Sequence, residues 1–302
     1  RAADRAATPS AGGASAQPSA WTMFFFGFAW GMPFLLVAGT LAYWLTENGL
    51  ELKNITLIAS AGLTYTLKFL WAPLVDRWRL PLLGRLGQRR GWLLLALGVV
   101  IVGLLLMADL TPGKLAPFIW VTLLTAFAGA TLDIAVDAYR IEIAPQESQG
   151  ALLATYSLGY RIALIITGAL ALMLADQVSW PLVYQAMAAV MLIPVVAVLL
   201  SREPDVVRIR MATWSEGLQE GVVEPFVDFF RRFGIALAIA LFAFILLAKI
   251  SDQSLGGGIM APFYLSQGFT KTEIGAVSKM WGVWVGLVFV IGLIRLRRTE
   301  LK

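Results

Sequence analysis

Seven charged side chains interrupt the long apolar stretches of this 302-residue chain. A charge near the centre of a bilayer costs about 2.5–3.5 kcal/mol on insertion scales, so such groups should face one another or a wet cavity. Charges of both signs at that depth indicate a polar pathway through a bundle, with the chemistry of binding a charged solute or a proton. The seven residues are Lys68, Arg161, Lys249, Lys279, Asp133, Asp137 and Asp252.

The spacing of two of the acids predicts that they act on one face of a helix. Asp133 and Asp137 are four residues apart, which places both on the same side. Asp133 is the deeper of the two and is the candidate for proton or substrate coupling. Because the chain has no histidine, a carboxylate would have to carry any transmembrane proton. Asp137 lies nearer the end of its stretch, where we expect it to pair with Arg89 or Arg90.

Two basic residues at similar depth are candidates for binding an anionic solute. Arg161 follows Tyr160 about midway along its stretch. A guanidinium suits a carboxylate or phosphate, and the tyrosine offers a hydroxyl or a stacking surface to a sugar. The alternative for Arg161 is an internal ion pair with Asp133. Lys68 lies in an earlier stretch at comparable depth.

The seventh apolar stretch carries a third polar group. Lys249 and Asp252 flank a serine and are followed by three glycines, 256–258. Glycines weaken a helix, so we expect either a break that exposes backbone dipoles to a ligand or close packing of helices through small residues. Lys279, in the outer third of the next stretch, can extend its ammonium group to the interface.

The composition requires that lipid surrounds most of the chain. Hydrophobic residues make up 59% and charged residues 14%, with a mean hydropathy of +0.76, whereas soluble domains are about 45–50% apolar and about 25% charged. A spanning helix needs about 20 apolar residues. These runs are continuously apolar rather than alternating, which excludes a barrel and predicts an all-α membrane protein. The predicted spans are 21–45, 55–75, 92–108, 116–138, 151–175, 181–200, 234–263 and 272–294.

The basic residues outside the spans predict the orientation. Seventeen of them fall on the side that holds both termini, and three, Lys53, Lys114 and Lys271, fall on the other side. The positive-inside rule therefore places both termini in the cytoplasm. This asymmetry accounts for the net charge of +5 without a nucleic-acid partner.

The spans divide the chain into four predicted regions. The linker has apolar residues every four positions from Trp214 to Phe230, which predicts an amphipathic helix at the interface that Pro225 should kink. With no cysteine, no histidine and no phosphate loop, we expect no enzyme, no metal site, no cofactor and no obligatory protein partner. The regions are a disordered tail (1–20), a six-helix bundle (21–201), the cytoplasmic linker (202–233) and a two-helix partial bundle with a basic tail (234–302).

Several motifs, which together cover about 21 to 290, resemble the major facilitator superfamily and in particular its AmpG-like muropeptide permeases. The loop between spans two and three has the superfamily signature, and the run around Asp133 is the most specific match. One departure is Leu132, where the family usually has glutamine. The matching motifs are Pro73-Leu-Val-Asp76-Arg77, Gly87-Gln-Arg89-Arg90-Gly91-Trp92, Asp133-Ile-Ala-Val-Asp137-Ala-Tyr139-Arg140, Leu158-Gly159-Tyr160-Arg161 and Lys249-Ile-Ser-Asp252.

The resemblance implies a proton-driven permease of the bacterial inner membrane. It would import N-acetylglucosaminyl-anhydromuropeptides for peptidoglycan recycling, using the proton gradient and no cofactor. The family has two six-helix halves, so we expect the chain to be truncated after about eight helices: one half and two helices of the other. By position, Asp133, Arg161, Lys68, Tyr160, Lys249 and Asp252 would line the substrate and proton pathway. Asp76, Arg77, Arg90 and Asp137 would form a cytoplasmic gate.

Two other functions remain compatible with the sequence. Acetyl-CoA transporters share a similar two-aspartate run, so another anionic solute is an alternative substrate. A scaffold or assembly protein of the same superfamily that does not transport is an alternative of a different class.

Overall fold

A computed structural model describes residues 20–110, 115–205, 219, 223–254 and 258–277, without the side chains of 147, 246 and 249–254. Every regular element in these ranges is helical. The α-helices are α1 (Ala20–Leu36), α2 (Gly39–Glu47), α3 (Leu52–Ala59), α4 (Thr64–Leu67), α5 (Ala72–Arg77), α6 (Gln88–Leu110), α7 (Leu115–Ile143), α8 (Gln149–Leu164), α9 (Ala171–Ala175), α10 (Trp180–Val190), α11 (Leu192–Leu200), α12 (Glu224–Phe233), α13 (Ile235–Ser254), α14 (Met260–Ser266) and α15 (Lys271–Ile274).

Five of the helical stretches are long and apolar enough to cross a membrane. They confirm the prediction of an all-α, multi-pass membrane protein. The seventh predicted span corresponds to α13 and α14, and most of the eighth lies outside the described residues. The five are Ala20–Glu47, Gln88–Leu110, Leu115–Ile143, Gln149–Ala175 and Trp180–Leu200.

The second predicted span is not one continuous helix. Between Leu52 and Arg77 the chain passes through α3, α4 and α5, which are separated by 3₁₀ turns at Ser60–Leu63 and Lys68–Leu70. Gly62 weakens the helix, and Pro73, in the first turn of α5, has no N–H to continue an earlier one. Lys68 therefore lies where α4 gives way to a 3₁₀ turn, rather than in the middle of a regular α-helix.

The first span and α8 are in backbone contact. A Cβ atom added to Gly27 would lie 1.9 Å from the carbonyl oxygen of Tyr156, and one added to Gly159 would lie 1.9 Å from that of Phe24. Gly31 also lies close to α8, where an added Cβ would meet the Cβ of Ala163 at 2.7 Å. Small residues thus bring the two helices together, as they commonly do in membranes.

The described α-helix of the linker begins next to Pro225. This residue lies in the first turn of α12, where a missing N–H leaves no gap in the α-helix. Residues 220–222 lie outside the described residues, so the kink at Pro225 stays a prediction. The ring of Phe226 lies 6.0 Å from that of Phe69 and 5.7 Å from that of Phe242, which joins α12 to the second span and to α13. Residues 206–218 of the linker and 1–19 of the tail lie outside the described residues, and the four-region division stays a prediction.

Candidate functional site

A lysine between two carboxylates forms the polar centre of the bundle, here called the Lys68 cluster (Lys68, Asp133 and Asp137). The Nζ atom of Lys68 lies 2.5 Å from Oδ2 of Asp133 and 3.7 Å from Oδ2 of Asp137. The side chain of Asp133 is 6% exposed, that of Lys68 31% and that of Asp137 40%. The cluster is therefore buried at Asp133 and opens toward the end of α7 that carries Asp137.

The helix and the 3₁₀ turn that carry these residues are tied together beside the cluster. Helix α7 presents its two acids one turn apart, and the turn Lys68–Leu70 presents the lysine. The indole Nε1 of Trp71 donates a hydrogen bond of 3.1 Å to Oγ1 of Thr131. The ring of Trp71 also packs at 4.6 Å on that of Phe127. These contacts hold the irregular second span against α7 and position Lys68.

The ion pair expected between Asp137 and Arg89 or Arg90 is wrong, and the alternative considered for Arg161, a pair with Asp133, is not formed. Asp133 pairs with Lys68 rather than with Arg161, which forms no ion pair within the described part of the chain. Asp137 lies 3.5 Å from Arg140 instead of pairing with Arg89 or Arg90. In both cases a partner on the same helix or on the adjacent second span is nearer than the one expected.

Three aromatic rings, one from α1 and two from α8, stack where these helices meet. The ring of Trp30 stacks on that of Tyr160, with centroids 4.1 Å apart and planes 25° apart, and lies 5.7 Å from that of Tyr156 at 15°. The Nε1 atom of Trp30 and the hydroxyl of Tyr65 are buried without a hydrogen-bond partner in the described structure. Trp30 was not among the predicted site residues, although its position inside a span, rather than at the end of one, sets it apart from the tryptophans that lie at the span ends.

A second charged group, the Arg89 cluster (Arg89, Asp76 and Glu142), closes one end of the bundle. The Arg89 side chain is 4% exposed, and its guanidinium donates to Oδ1 of Asp76 at 2.9 Å and to both carboxylate oxygens of Glu142. It also donates to the carbonyl oxygen of Val75 at 3.3 Å. This arginine ties the end of α5 and the end of α7 to the start of α6.

The four residues expected to form a gate do not meet in one cluster. Asp76 binds Arg89, whereas Arg90 donates to the carbonyl oxygens of Val198 at 3.1 Å and Leu199 at 2.7 Å, at the end of α11. Arg77 is the last residue of α5, and Asp137 belongs to the Lys68 cluster. Their role in gating stays a prediction.

Two of the six predicted pathway residues, Lys249 and Asp252, lie where the structure gives no side chains. Lys249 and Asp252 belong to α13, but their side chains are outside the described part, as are the glycines 256 and 257. Tyr160 and Arg161 are described and are both partly buried on α8. The assignment of all six residues to a substrate and proton pathway stays a prediction.

Comparisons with known proteins agree on one family. The model of the Major Facilitator Superfamily matches residues 19–300. The Rickettsia conorii protein AmpG 4 is 37% identical over 291 residues, which cover 93% of this chain and 68% of that protein. The anhydromuropeptide permease of Escherichia coli K12 is 35% identical over 290 residues, which cover 94% of this chain and 57% of the permease. The chain thus spans between about half and two thirds of the length of these relatives.

Proposed function

Because the chain belongs to the major facilitator superfamily, we propose that it imports anhydromuropeptides across the bacterial inner membrane together with protons. Both termini lie in the cytoplasm in this proposal, as the distribution of basic residues predicts. The identity with the Escherichia coli anhydromuropeptide permease supports the substrate class. The observation that carries the proposal is the Lys68 cluster, a charged group inside a membrane span that is open to one end of the bundle.

The Lys68 cluster supplies a mechanism for proton coupling. The ammonium group of Lys68 lies against the buried Asp133 and within 3.7 Å of the more exposed Asp137. A proton that binds to Asp133 neutralises the carboxylate and breaks this ion pair, while Asp137 still balances the charge of Lys68. The freed ammonium then binds a carboxylate of the substrate. When the substrate leaves and the Lys68–Asp133 pair forms again, the proton is released.

The α8 side of the site supplies the second half of substrate recognition. Arg161 has no ion-pair partner among the described residues, so its guanidinium is available to a substrate carboxylate or a peptide carbonyl. Tyr160, stacked on Trp30, lies directly before it in the sequence. An anhydromuropeptide carries both sugar rings and peptide carboxylates, which suits an aromatic surface beside two cations.

Uptake of a labelled N-acetylglucosaminyl-anhydromuropeptide into proteoliposomes tests the proposal. We expect an imposed pH gradient to stimulate uptake and Asp133→Asn to remove that stimulation. Asp109→Asn is the matched control, because Asp109 is an exposed acid near the end of α6. Gradient-driven uptake that survives Asp133→Asn contradicts the assignment of Asp133.

A second measurement tests the anion-binding role of Arg161. Hydrogen bonds to charged groups contribute about 1.5–3 kcal/mol, so Arg161→Met should weaken binding of the muropeptide by about 10–100-fold in calorimetry. Competition with acetyl-CoA in the same experiment addresses the alternative substrate. Binding of acetyl-CoA without binding of the muropeptide refutes the proposed substrate, and binding of neither favours the scaffold.

A further inference from the structure

The end of the bundle opposite the Arg89 cluster is closed by Lys271, one of the three basic residues counted on the side away from the termini. The Nζ atom of Lys271 lies 2.8 Å from Oε1 of Glu47, 3.6 Å from Oδ1 of Asp176 and 2.7 Å from the carbonyl oxygen of Ala175. It also lies 5.3 Å above the ring of Trp180. We call this group the Lys271 cluster (Lys271, Glu47, Asp176 and Trp180).

The cluster joins four helix ends from three separate parts of the chain. Glu47 ends α2, Asp176 follows α9, Trp180 begins α10 and Lys271 begins α15. Lys271 and Glu47 are separated by 224 residues. The acids are themselves fixed, since Trp180 donates through Nε1 to Glu47 at 2.5 Å. The cluster therefore ties the segment after the linker to the N-terminal bundle.

Direct backbone contacts strengthen the same junction. The backbone N–H of Thr272 donates to Oδ2 of Asp176 at 2.7 Å, and its hydroxyl donates to the same oxygen at 2.5 Å. A capping box between Thr270 and Glu273 starts α15 at this point and so fixes the direction of Lys271. Ala261 of α14 is 3% exposed and lies in the common core, close to α2.

The cluster has the composition of a contact that opens and closes rather than of a permanent seal. The side chain of Lys271 is 10% exposed, but those of Glu47 and Asp176 are 33% and 27% exposed, so water already reaches the acids. Partly exposed ion pairs lose little when water replaces the partner, whereas separating an apolar seal exposes its whole area. At the same time the Lys68 cluster opens toward the other end of the bundle, where Asp137 is 40% exposed.

We propose that the Lys271 cluster is the latch that keeps the bundle closed at this end, and that its release is required to expose the Lys68 cluster there. The proposal rests on the proposed transport function, since a transporter must open each end in turn. Neutralising Lys271 removes the charge that both acids share, and the two acids then repel each other. The balance of conformations should shift toward those open at this end.

The absence of cysteine from the chain allows a direct test in lipid nanodiscs, where both faces are accessible. A cysteine in place of Ala261 reports opening of the junction through its rate of alkylation by a maleimide. We expect Lys271→Met to raise this rate at least about fivefold, within the usual range of coupling between states. Asp176→Asn, which keeps an acceptor oxygen for Thr272, should raise it less. Lys53→Met is the matched control, because Lys53 is an exposed lysine expected at the same end.

A second cysteine separates opening from loss of structure. Ala96, 2% exposed in α6, lies in the core of the N-terminal bundle. A cysteine there should stay protected in the Lys271→Met variant. An unchanged rate at position 261, an equal rise in Lys53→Met, or a rise at position 96 as well overturns the latch. Labelling requires no substrate, so a failed uptake assay and a failed latch are distinguishable.

Discussion

Replacing Arg89, in the first turn of α6, with methionine should destabilise the protein more than replacing an exposed arginine just before that helix. The arginine side chain is 4% exposed and neutralises two acids, of which Glu142 is 15% and Asp76 44% exposed. Breaking a buried ion pair costs about 3–5 kcal/mol, because one charge stays buried without a partner. Glu142 loses the hydrogen bonds from Arg89 while its side chain is only 15% exposed, whereas Asp76 regains water and adds little. We therefore expect a loss of about 3 kcal/mol, near the lower limit.

Thermal unfolding of the purified protein in detergent measures this loss. For a domain of 150–250 residues, 1 kcal/mol shifts the Tm by about 2–4 °C, so the Tm should fall by about 6–12 °C. Scans must share one heating rate, since unfolding of membrane proteins in detergent is commonly irreversible. Arg85→Met is the matched control, because Arg85 is exposed in the 3₁₀ turn just before α6.

A double variant tests the physical cause of the loss. If the buried negative charge of Glu142, no longer balanced by Arg89, is responsible, Arg89→Met combined with Glu142→Gln should be more stable than Arg89→Met alone. A Tm for Arg89→Met equal to that of Arg85→Met refutes the reasoning. So does a double variant that is less stable than the single one.

Two further predictions concern glycines. Gly27→Ala should lower the Tm, because its Cβ would lie 1.9 Å from the carbonyl oxygen of Tyr156 and force α1 away from α8. Gly98→Ala is the control: an added Cβ there has no neighbouring atom within 4 Å, so the Tm should stay unchanged or rise. Gly87→Ala should also lower the Tm, since Gly87 has φ = +123° and an added Cβ would lie 2.3 Å from Oε2 of Glu203. Equal Tm values for Gly27→Ala and Gly98→Ala contradict the first prediction, and a Gly87→Ala variant as stable as the parent contradicts the second.

The sequence was sufficient for the class of fold because hydropathy and span length act on each segment separately. It was insufficient for the continuity of the helices. The breaks at Lys68 and between α1 and α2 depend on whether neighbouring helices replace the lost backbone hydrogen bonds, which is a property of the packed bundle.

The partners of the charged residues could not be predicted from the sequence for the same reason. Lys68 and Arg161 lie at similar depths, and only the packing of the second span against α7 makes Lys68 the partner of Asp133. Arg89 and Arg90 are adjacent, yet neighbouring positions on a helix point about 100° apart, so one is buried and the other binds the end of α11. The ion pair between Lys271 and Glu47 was not predictable, since the two residues are 224 positions apart in the sequence.

The contrast between the two sides of the Lys68 cluster has a consequence for protein engineering. On one side, α1 and α8 touch through their backbones, and no larger residue fits at Gly27 or Gly159. On the other side, the second span changes its winding at Lys68 and already lacks a regular hydrogen-bond ladder. A library intended to alter the substrate should therefore randomise residues 60–67, where the backbone can adjust to a new side chain, and leave Lys68 and the glycine contact intact.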